Sequence, residues 1–598
     1  MFKLLKYLKP YWLSVFLLVT TLAGQVFCTL QLPALMSKIV NDGILTENPD
    51  ITWKIGVNML GFTLLSILFA LATHFFSARV GAAFSRDLRN AFYRHVLSLS
   101  SSEIEKFSTA SLITRTTNDI SQVQSATMMM LTMLLRAPLM GIGAIIQAFR
   151  TAPDMTWIIV LAVSVLLFSI ITIMSLVIPK FKIFQKLLDR LTQLTRENLT
   201  GLRVICAFNN EQIEEKKFAR ANHDITKVNL FINRLMSLES PLMTLIFNGT
   251  TVLCVWIGVA LIEVDLTYLG SMMAFVQYAT QVIMSFLFLT MFFVMLPRAT
   301  VSAKRINEVL NVHPKIHWKS KTAKPENYLS SEPSIEFKHV SFAYDGAESN
   351  VLSDVSFTAK AGETTAFIGS TGSGKSTLIN LIPRFFDVTD GAILVDGIDL
   401  RDYAEDELMS KIGYVPQRGK LFRGTVKNNI AFGNLNATPA EVEEAARVSQ
   451  SAEFIQKLEK NYDYLVSQGG TNVSGGQKQR LSIARALAKH PEIYIFDDSF
   501  SALDMKTDAK LREDLKPLTR NAITLIVAQR VSTIKNADQI IVLDQGKVVG
   551  KGTHYQLLGA SKVYQEITRS QLSDSEFERE MKKAEKINIH TMLEKGVN

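Results

Sequence analysis

Long apolar stretches constrain this chain more than any other feature of its sequence. The first half of the 598-residue chain contains stretches of 20 or more residues that are nearly free of charge. A helix needs about 20 apolar residues to cross the hydrocarbon core of a bilayer. We therefore predict six membrane-spanning helices, at residues 11–36, 54–78, 122–148, 155–179, 241–262 and 268–297.

Basic residues cluster at alternate ends of these stretches. Arg86 and Arg89 follow the second stretch, Lys180 and Lys182 follow the fourth, and Arg298 follows the sixth. Loops rich in Lys and Arg remain cytoplasmic, and an even number of spans leaves both chain ends on that side. We predict a multi-pass protein of the plasma membrane with cytoplasmic termini. This topology accounts for the formal net charge of +9, so we expect no nucleic-acid partner.

Polar side chains inside the spans have two possible roles. His74, Arg136, Asn248, Gln277 and Gln281 are examples. Such groups cost free energy in lipid, so they face either a substrate path or a neighbouring helix that accepts a hydrogen bond. The sequence leaves both alternatives open. The many Met and Phe residues of the third and sixth spans suit an adaptable apolar lining for hydrophobic compounds.

The second half of the chain carries a phosphate-binding motif. Thr364–Ile368 reads as a strand and leads into Gly-Ser-Thr-Gly-Ser-Gly-Lys-Ser-Thr, which matches the phosphate-loop pattern in full. The glycines let backbone N–H groups wrap the phosphates, the lysine reaches the β and γ phosphates, and the serine hydroxyl can bind Mg²⁺. We predict that ATP is bound by Gly369, Ser370, Thr371, Gly372, Ser373, Gly374, Lys375, Ser376 and Thr377.

A second apolar strand, Ile493–Phe496, ends in Asp497. In phosphate-loop NTPases, an acidic residue shares the Mg²⁺ with the serine of the loop. Shortly before this strand stands Val-Ser-Gly-Gly-Gln at Val473–Gln477. The combination predicts an ATPase whose Mg²⁺ is held through Ser376 and Asp497.

These motifs resemble those of ABC exporter half-transporters, with Ser-Gly-Gly-Gln as the signature of the family. The resemblance implies a multi-domain membrane protein: an all-α six-helix transmembrane domain of the ABC exporter type and an α/β phosphate-loop ABC ATPase domain. We expect the transmembrane domain at 1–310, a linker at 311–334, the ATPase domain at 335–570, and a charged tail, solvated or helical, at 571–598.

The resemblance also implies roles for individual residues. Tyr344 corresponds to the aromatic residue that stacks on adenine, Gln417 to the Q-loop glutamine, and Asp504 to the end of the D-loop. Gln417 is expected to be both a Mg²⁺ ligand and a catalytic residue, and Asp504 a catalytic residue. In this family two ATPase domains close head to tail, and each ATP lies between one chain's phosphate loop and the other chain's signature. A second half-transporter is therefore an expected partner. The signature residues are Ser474, Gly475, Gly476 and Gln477.

Two catalytic positions depart from the family pattern. Asp498 stands where the family has the glutamate that polarises the attacking water, and Gln529 stands where it has a histidine that contacts the γ phosphate. An aspartate reaches less far, and a glutamine cannot become cationic. We expect ATP with Mg²⁺ to bind at this site and to be hydrolysed slowly.

This pattern resembles the degenerate-site subunit of heterodimeric bacterial multidrug exporters. The leading hypothesis is ATP-driven efflux of hydrophobic or amphipathic compounds, with this chain lending its signature to a partner's active site. A slow homodimeric exporter of lipid or peptide is an alternative, and so is an ATP-gated regulator that does not transport. The sequence identifies neither the cargo nor the partner.

Overall fold

The computed structural model describes residues 2–263, 266–323 and 333–594. They form two compact units: a membrane unit within residues 1–97 and 109–312, and a nucleotide unit within residues 98–108 and 313–598. Residues 324–332 of the expected linker and 595–598 of the expected tail lie outside the described residues.

The membrane unit is built from long apolar helices. Among the described residues, six helices are long and apolar enough to cross a membrane, which confirms the predicted spans. A 3-10 helix, Phe2–Tyr11, precedes them, and π-helical turns join α4 to α5 and α5 to α6. The helices of this part of the chain are α1 Trp12–Lys38, α2 Pro49–Leu97, α3 Ser101–Glu105 (which belongs to the nucleotide unit), α4 Thr109–Thr114, α5 Ile120–Met129, α6 Leu135–Thr151, α7 Thr156–Thr200, α8 Leu202–Ala207, α9 Glu211–Ser237, α10 Glu239–Ile262 and α11 Tyr268–Leu310.

Helices α2 and α7 are far longer than a bilayer requires. Helix α2 has 49 residues and α7 has 45. At 1.5 Å per residue each extends about 70 Å, whereas the hydrocarbon core is about 30 Å thick. Both helices therefore continue well beyond the apolar segment that would lie in lipid.

Small residues let the membrane helices approach one another closely. A Cβ atom added to Gly143 would lie 2.4 Å from Leu30 Cδ1, and Ala144 and Ala148 are fully buried. The Tyr278 hydroxyl donates a hydrogen bond to the Leu30 carbonyl oxygen at 3.0 Å. Close packing and hydrogen bonds of this kind hold helices together where lipid provides no hydrophobic drive for association.

The nucleotide unit is organised around a mainly parallel sheet with strand order β12-β11-β3-β10-β9-β6, in which only β12 runs antiparallel to its neighbour. Strands β9 and β10 are buried at every position, as expected for a sheet covered on both faces. An antiparallel sheet of order β2-β1-β4-β5 accompanies it. The strands are β1 Ser334–Phe342, β2 Leu352–Lys360, β3 Thr364–Gly369, β4 Asp390–Val395, β5 Ile398–Asp399, β6 Ile412–Val415, β7 Gly424–Thr425, β8 Leu465–Val466, β9 Ile493–Asp497, β10 Ile523–Val527, β11 Gln539–Asp544 and β12 Lys547–Gly552.

Helices connect these strands and complete the α/β domain. The strands expected before the phosphate loop and before Asp497 are confirmed as β3 and β9. The helices are α12 Lys375–Asn380, α13 Glu405–Lys411, α14 Val426–Ala431, α15 Pro439–Val448, α16 Ala452–Gln456, α17 Gly475–Leu487, α18 Met505–Thr519, α19 Val531–Ile534, α20 His554–Ala560, α21 Lys562–Arg569 and α22 Asp574–Glu594.

The expected linker is packed onto the nucleotide unit where the structure describes it. The backbones of Lys319 and Ala404 form an isolated parallel β-bridge, and the Trp318 ring lies 4.6 Å from the guanidinium carbon of Arg384. Arg384 is buried and also donates to Asp387. This part of the chain therefore adds to the ATPase domain instead of forming a free tether.

Removing the Trp318 ring should destabilise the nucleotide unit. A cation–π contact with a desolvated cation contributes about 2 kcal/mol, so we expect Trp318→Ala to lower the free energy of unfolding by about that amount. Thermal unfolding of the full-length chain in nanodiscs measures the change. His317→Ala, at an exposed neighbouring position, is the control, and equal midpoints for the two variants would contradict the prediction.

Candidate functional site

The site lies at one edge of the mainly parallel sheet. The phosphate loop follows β3, Gln417 follows β6, Asp498 follows β9, and Gln529 follows β10. These four strands run parallel, so their carboxyl ends meet at the same edge. Ligands of open α/β sheets bind at that edge.

The phosphate loop requires glycine at several points. Gly372 and Gly374 have φ values of +84° and +95°, a region that L side chains rarely adopt. A Cβ atom on Gly369 would lie 2.1 Å from the Leu543 carbonyl oxygen. The loop can therefore keep its backbone N–H groups exposed to a phosphate only because these positions lack side chains.

Lys375 and Ser376 carry the polar groups of this loop. Lys375 Nζ donates to the carbonyl oxygens of Ser370 at 2.7 Å and Gly369 at 3.0 Å, and burial lowers its pKa. Ser376 Oγ donates to Asp497 Oδ1 at 3.0 Å. A hydroxyl beside a carboxylate at the start of α12 is an oxygen donor set that suits Mg²⁺. These residues fit ATP with Mg²⁺. When bound, ATP would supply the phosphoryl group whose transfer to water releases free energy.

Asp498 is held by two glutamines. Its Oδ2 accepts a hydrogen bond from Gln529 Nε2 at 2.8 Å and another from Gln417 Nε2 at 3.3 Å. Its backbone has a φ of +45°, unusual for a residue other than glycine. The two positions that depart from the family pattern thus contact each other directly.

Burial affects both adjacent carboxyl groups. It raises the pKa of Asp497, and the neighbouring Asp498 raises it further while the Ser376 hydrogen bond lowers it. Burial also raises the pKa of Asp498, against the opposing hydrogen bond from Gln417. A buried carboxylate pair favours a nearby cation, which is the role expected of Mg²⁺ at this position.

Tyr344 lies beside the phosphate-loop helix. Its hydroxyl and Thr377 Oγ1 are hydrogen-bonded at 3.0 Å, and its ring packs edge-on against Phe342 and Phe386. The ring is half-buried and lines a cavity of about 430 Å³ within the nucleotide unit. Tyr344, the residue expected to stack on adenine, therefore lines a cavity and is hydrogen-bonded to the last residue of the phosphate loop.

The signature forms the beginning of helix α17. Ser474 Oγ accepts from the Gln477 N–H, and the Gln477 side chain accepts from the Ser474 N–H, so the two residues form a capping box. Ser474 and Gly475 are exposed. The N-terminus of a helix attracts phosphate, so this exposed end can receive an ATP from another subunit.

Asp504 is a helix cap in this structure. Its side chain accepts a hydrogen bond from the Thr507 N–H at 3.0 Å and thereby begins α18. That hydrogen bond lowers the pKa of Asp504. Asp504, at the end of the D-loop, is thus ionised and is held in place at the beginning of α18.

One residue that sequence reasoning did not select supports the site. Gln479 is 1% exposed, donates to the Pro416 carbonyl oxygen at 3.0 Å and accepts from the Gly419 N–H at 2.9 Å. It therefore links the signature helix α17 to the loop that carries Gln417. A buried polar side chain of this kind leaves no periodic signal in the sequence.

The fold and the site define a phosphate-loop ATPase attached to a bundle of membrane helices. The family model for the ABC transporter transmembrane region matches residues 15–286, and the model for the ABC transporter matches residues 352–501. An uncharacterized ABC transporter ATP-binding protein of Mycobacterium tuberculosis is 40% identical, with 95% of this chain and 97% of the relative covered.

Other relatives extend the comparison. An ATP-dependent lipid A-core flippase of Hahella chejuensis is 32% identical, with 96% of this chain and 97% of the relative covered. A solved structure of a bacterial Atm1-family ABC exporter with ATP bound superimposes with a TM-score of 0.77 at 24% identity, covering 95% of this chain and 99% of that one. This chain belongs to the ABC transporter family. It is an ATP-driven exporter half-transporter, with an N-terminal membrane domain fused to a C-terminal ATPase domain coupled to transport.

Proposed function

We propose that this chain is one subunit of a heterodimeric exporter, that its own ATP site hydrolyses slowly, and that its signature completes the partner's active site. The observation that carries the proposal is the hydrogen bond from Gln529 to Asp498. In a competent site the corresponding carboxylate must be free to orient water. Here Oδ2 of Asp498 is occupied by two amide donors within the chain itself.

Distance and charge support the same assignment. An aspartate places its carboxylate about 1.5 Å, one carbon–carbon bond, short of a glutamate. Misplacement of a catalytic group by about 1 Å costs roughly a hundredfold in rate. Gln529 adds no positive charge near a γ phosphate, whereas a histidine can. Both changes slow hydrolysis, and neither touches Lys375 or Ser376.

The proposed division of roles is as follows. Tyr344, the phosphate loop, Gln417 and Asp497 bind ATP with Mg²⁺. The residues from Ser474 to Gln477, with Asp504, act on the ATP held by the partner. An ATP that stays bound at this site would keep the two ATPase domains associated while the partner's site turns over.

Hydrophobic or amphipathic compounds are the proposed cargo, and they are exported across the plasma membrane. Both termini of the chain lie in the cytoplasm in this proposal. The apolar composition of the membrane helices supports this cargo. Relatives named as lipid A-core flippases make a lipid the second candidate. ATP-dependent accumulation inside inside-out vesicles, compared between a fluorescent drug and a fluorescent phospholipid, separates the two.

Lys375→Met tests whether the chain's own site binds ATP. The substitution removes the cation that reaches the phosphates, so we expect binding of a fluorescent ATP analogue to weaken by at least about tenfold, or about 1.4 kcal/mol. The measurement uses the full-length chain in nanodiscs with Mg²⁺. Lys551→Met, on an exposed position of β12, is the control, and unchanged binding in Lys375→Met would contradict an ATP site here.

A further inference from the structure

The segment after α21 contacts the turn that carries Gln529. Gln571 Nε2 donates to the Gln529 carbonyl oxygen at 2.8 Å, and Gln571 Oε1 accepts from the Val531 N–H at 2.8 Å. One side-chain amide thus bridges two backbone groups on either side of Arg530. The backbone that presents the Gln529 side chain is held by a residue from the expected tail.

Helix α22 supports this contact. Its residues Phe577 and Met581 pack against the main core of the nucleotide unit, and Ala584 is 1% exposed. Glu580 on the same helix pairs with Lys535, which directly follows α19, at 2.7 Å. The charged tail expected at residues 571–598 is therefore, where described, an ordered part of the domain.

The charge arrangement strengthens the attachment. Burial raises the pKa of Glu580, but hydrogen bonds from Lys535 and Lys583 outweigh it and lower that pKa to about 2. His554 Nε2 lies 3.6 Å from the same carboxylate. Glu580 is thus ionised at neutral pH, and its ion pair with Lys535 attaches α22 to the residue that directly follows α19.

These contacts form one path to the nucleotide site. Gln571 holds the backbone of Gln529, and the Gln529 side chain donates to Asp498. Residues 530–535 connect that turn to the Lys535–Glu580 ion pair. A shift of the C-terminal segment would therefore move Gln529 relative to Asp498.

We propose that Gln571 is a positioning residue for the nucleotide site, which clamps the turn bearing Gln529 with helix α22 as its support. The C-terminal segment then controls how long nucleotide stays bound at this chain's own site. The inference rests on the proposed function in one respect, because it takes Gln529 to face the γ phosphate. It adds a regulatory role for a segment outside the nucleotide-binding motifs.

The test compares two glutamines of the same region. Gln571→Met keeps the side-chain volume and removes both hydrogen bonds, whereas Gln571→Glu keeps the acceptor for Val531 and loses the donor. Gln565→Met is the control, because Gln565 donates to the Leu558 carbonyl oxygen at 2.6 Å, away from the Gln529 turn. Each variant is prepared as the full-length chain in nanodiscs.

The measured quantity is the dissociation rate of a fluorescent ATP analogue with Mg²⁺. Two hydrogen bonds to backbone groups are lost in Gln571→Met, so we expect its dissociation rate to rise at least about fivefold. Gln571→Glu should also dissociate faster than the unmodified chain, because a carboxylate oxygen would then face the Gln529 carbonyl oxygen. Gln565→Met should be unchanged. A rate in Gln571→Met and Gln571→Glu equal to that of the unmodified chain would overturn the proposal.

A double-variant cycle separates positioning from general structural support. If Gln571 acts through Gln529, the Gln571→Met effect disappears when Gln529→Ala is already present. An effect of equal size in both backgrounds overturns the proposal. The ratio of ADP to ATP in the released nucleotide reports separately on the slow-site assignment. Rapid hydrolysis would refute that assignment, while the cycle would still decide the role of Gln571.

Discussion

ATP turnover at this chain's own site is expected to rise about a hundredfold when Asp498→Glu and Gln529→His are combined. The glutamate extends the carboxylate toward the water position, and the histidine releases that carboxylate from the Gln529 amide while adding a group that can become cationic. ATP affinity should change little, because Lys375, Ser376 and Asp497 are retained. The measurement is steady-state ATP hydrolysis at saturating Mg²⁺-ATP by the complex purified with its partner, in which the partner's phosphate-loop lysine is replaced so that only this chain's site turns over.

The single variants and a control sharpen this experiment. Asp498→Glu alone should recover only part of the rate, since Gln529 can still donate to the longer carboxylate. Asp463→Glu adds the same methylene at an exposed position of the domain and should have no effect. An unmodified chain that already hydrolyses ATP as fast as the double variant would remove the basis for a degenerate site.

The second large effect is expected at the signature. Ser474→Ala in the complete exporter should abolish ATP hydrolysis by the complex, because the exposed start of α17 no longer presents a hydroxyl to the ATP of the partner. The chain is purified with its partner from its native membrane through a tag on this chain. ATPase activity of the purified complex is then compared with and without the substitution.

Loss of a helix cap must be distinguished from loss of a phosphate contact. Ser474 caps α17 through a reciprocal pair with Gln477, and Thr553 caps α20 through the same kind of pair with Gln556. Each substitution by alanine costs about 1 kcal/mol of stability. Thr553→Ala should therefore shift thermal unfolding like Ser474→Ala yet leave hydrolysis intact. Largely unchanged turnover in Ser474→Ala would show that this signature does not serve the productive site.

Local sequence patterns were sufficient to predict much of the fold and of the candidate site. Apolar stretches long enough for a bilayer predict membrane helices, because the length needed depends only on bilayer thickness and helix rise. The phosphate loop is similarly local: its glycines, Lys375 and Ser376 lie within nine consecutive residues, 369–377, and the preceding strand was expected. Asp498 and Gln529 were recognised as departures by comparison with the family pattern, Asp498 directly after Asp497 and Gln529 within Val527–Arg530.

Other features depended on how distant segments pack. The contact between Asp498 and Gln529 joins residues 31 positions apart in sequence, on strands that only the sheet order makes neighbours. The placement of Trp318 over Arg384 converts part of the expected linker into domain structure. Neither Gln479 nor Gln571 belongs to a recognisable motif, since each acts on backbone groups far away in sequence.

The sequence by itself determined the membrane helices and the residues suited to ATP and Mg²⁺, because these rest on long apolar stretches and on short continuous motifs, and the resemblance of those motifs to a known family indicated the class of the protein. Only the tertiary structure decided that the two altered catalytic positions hydrogen-bond to each other and that the C-terminal segment holds one of them. The physical reason is that a side-chain amide can bond to any backbone group that folding brings within about 3 Å, and sequence spacing carries no record of that choice.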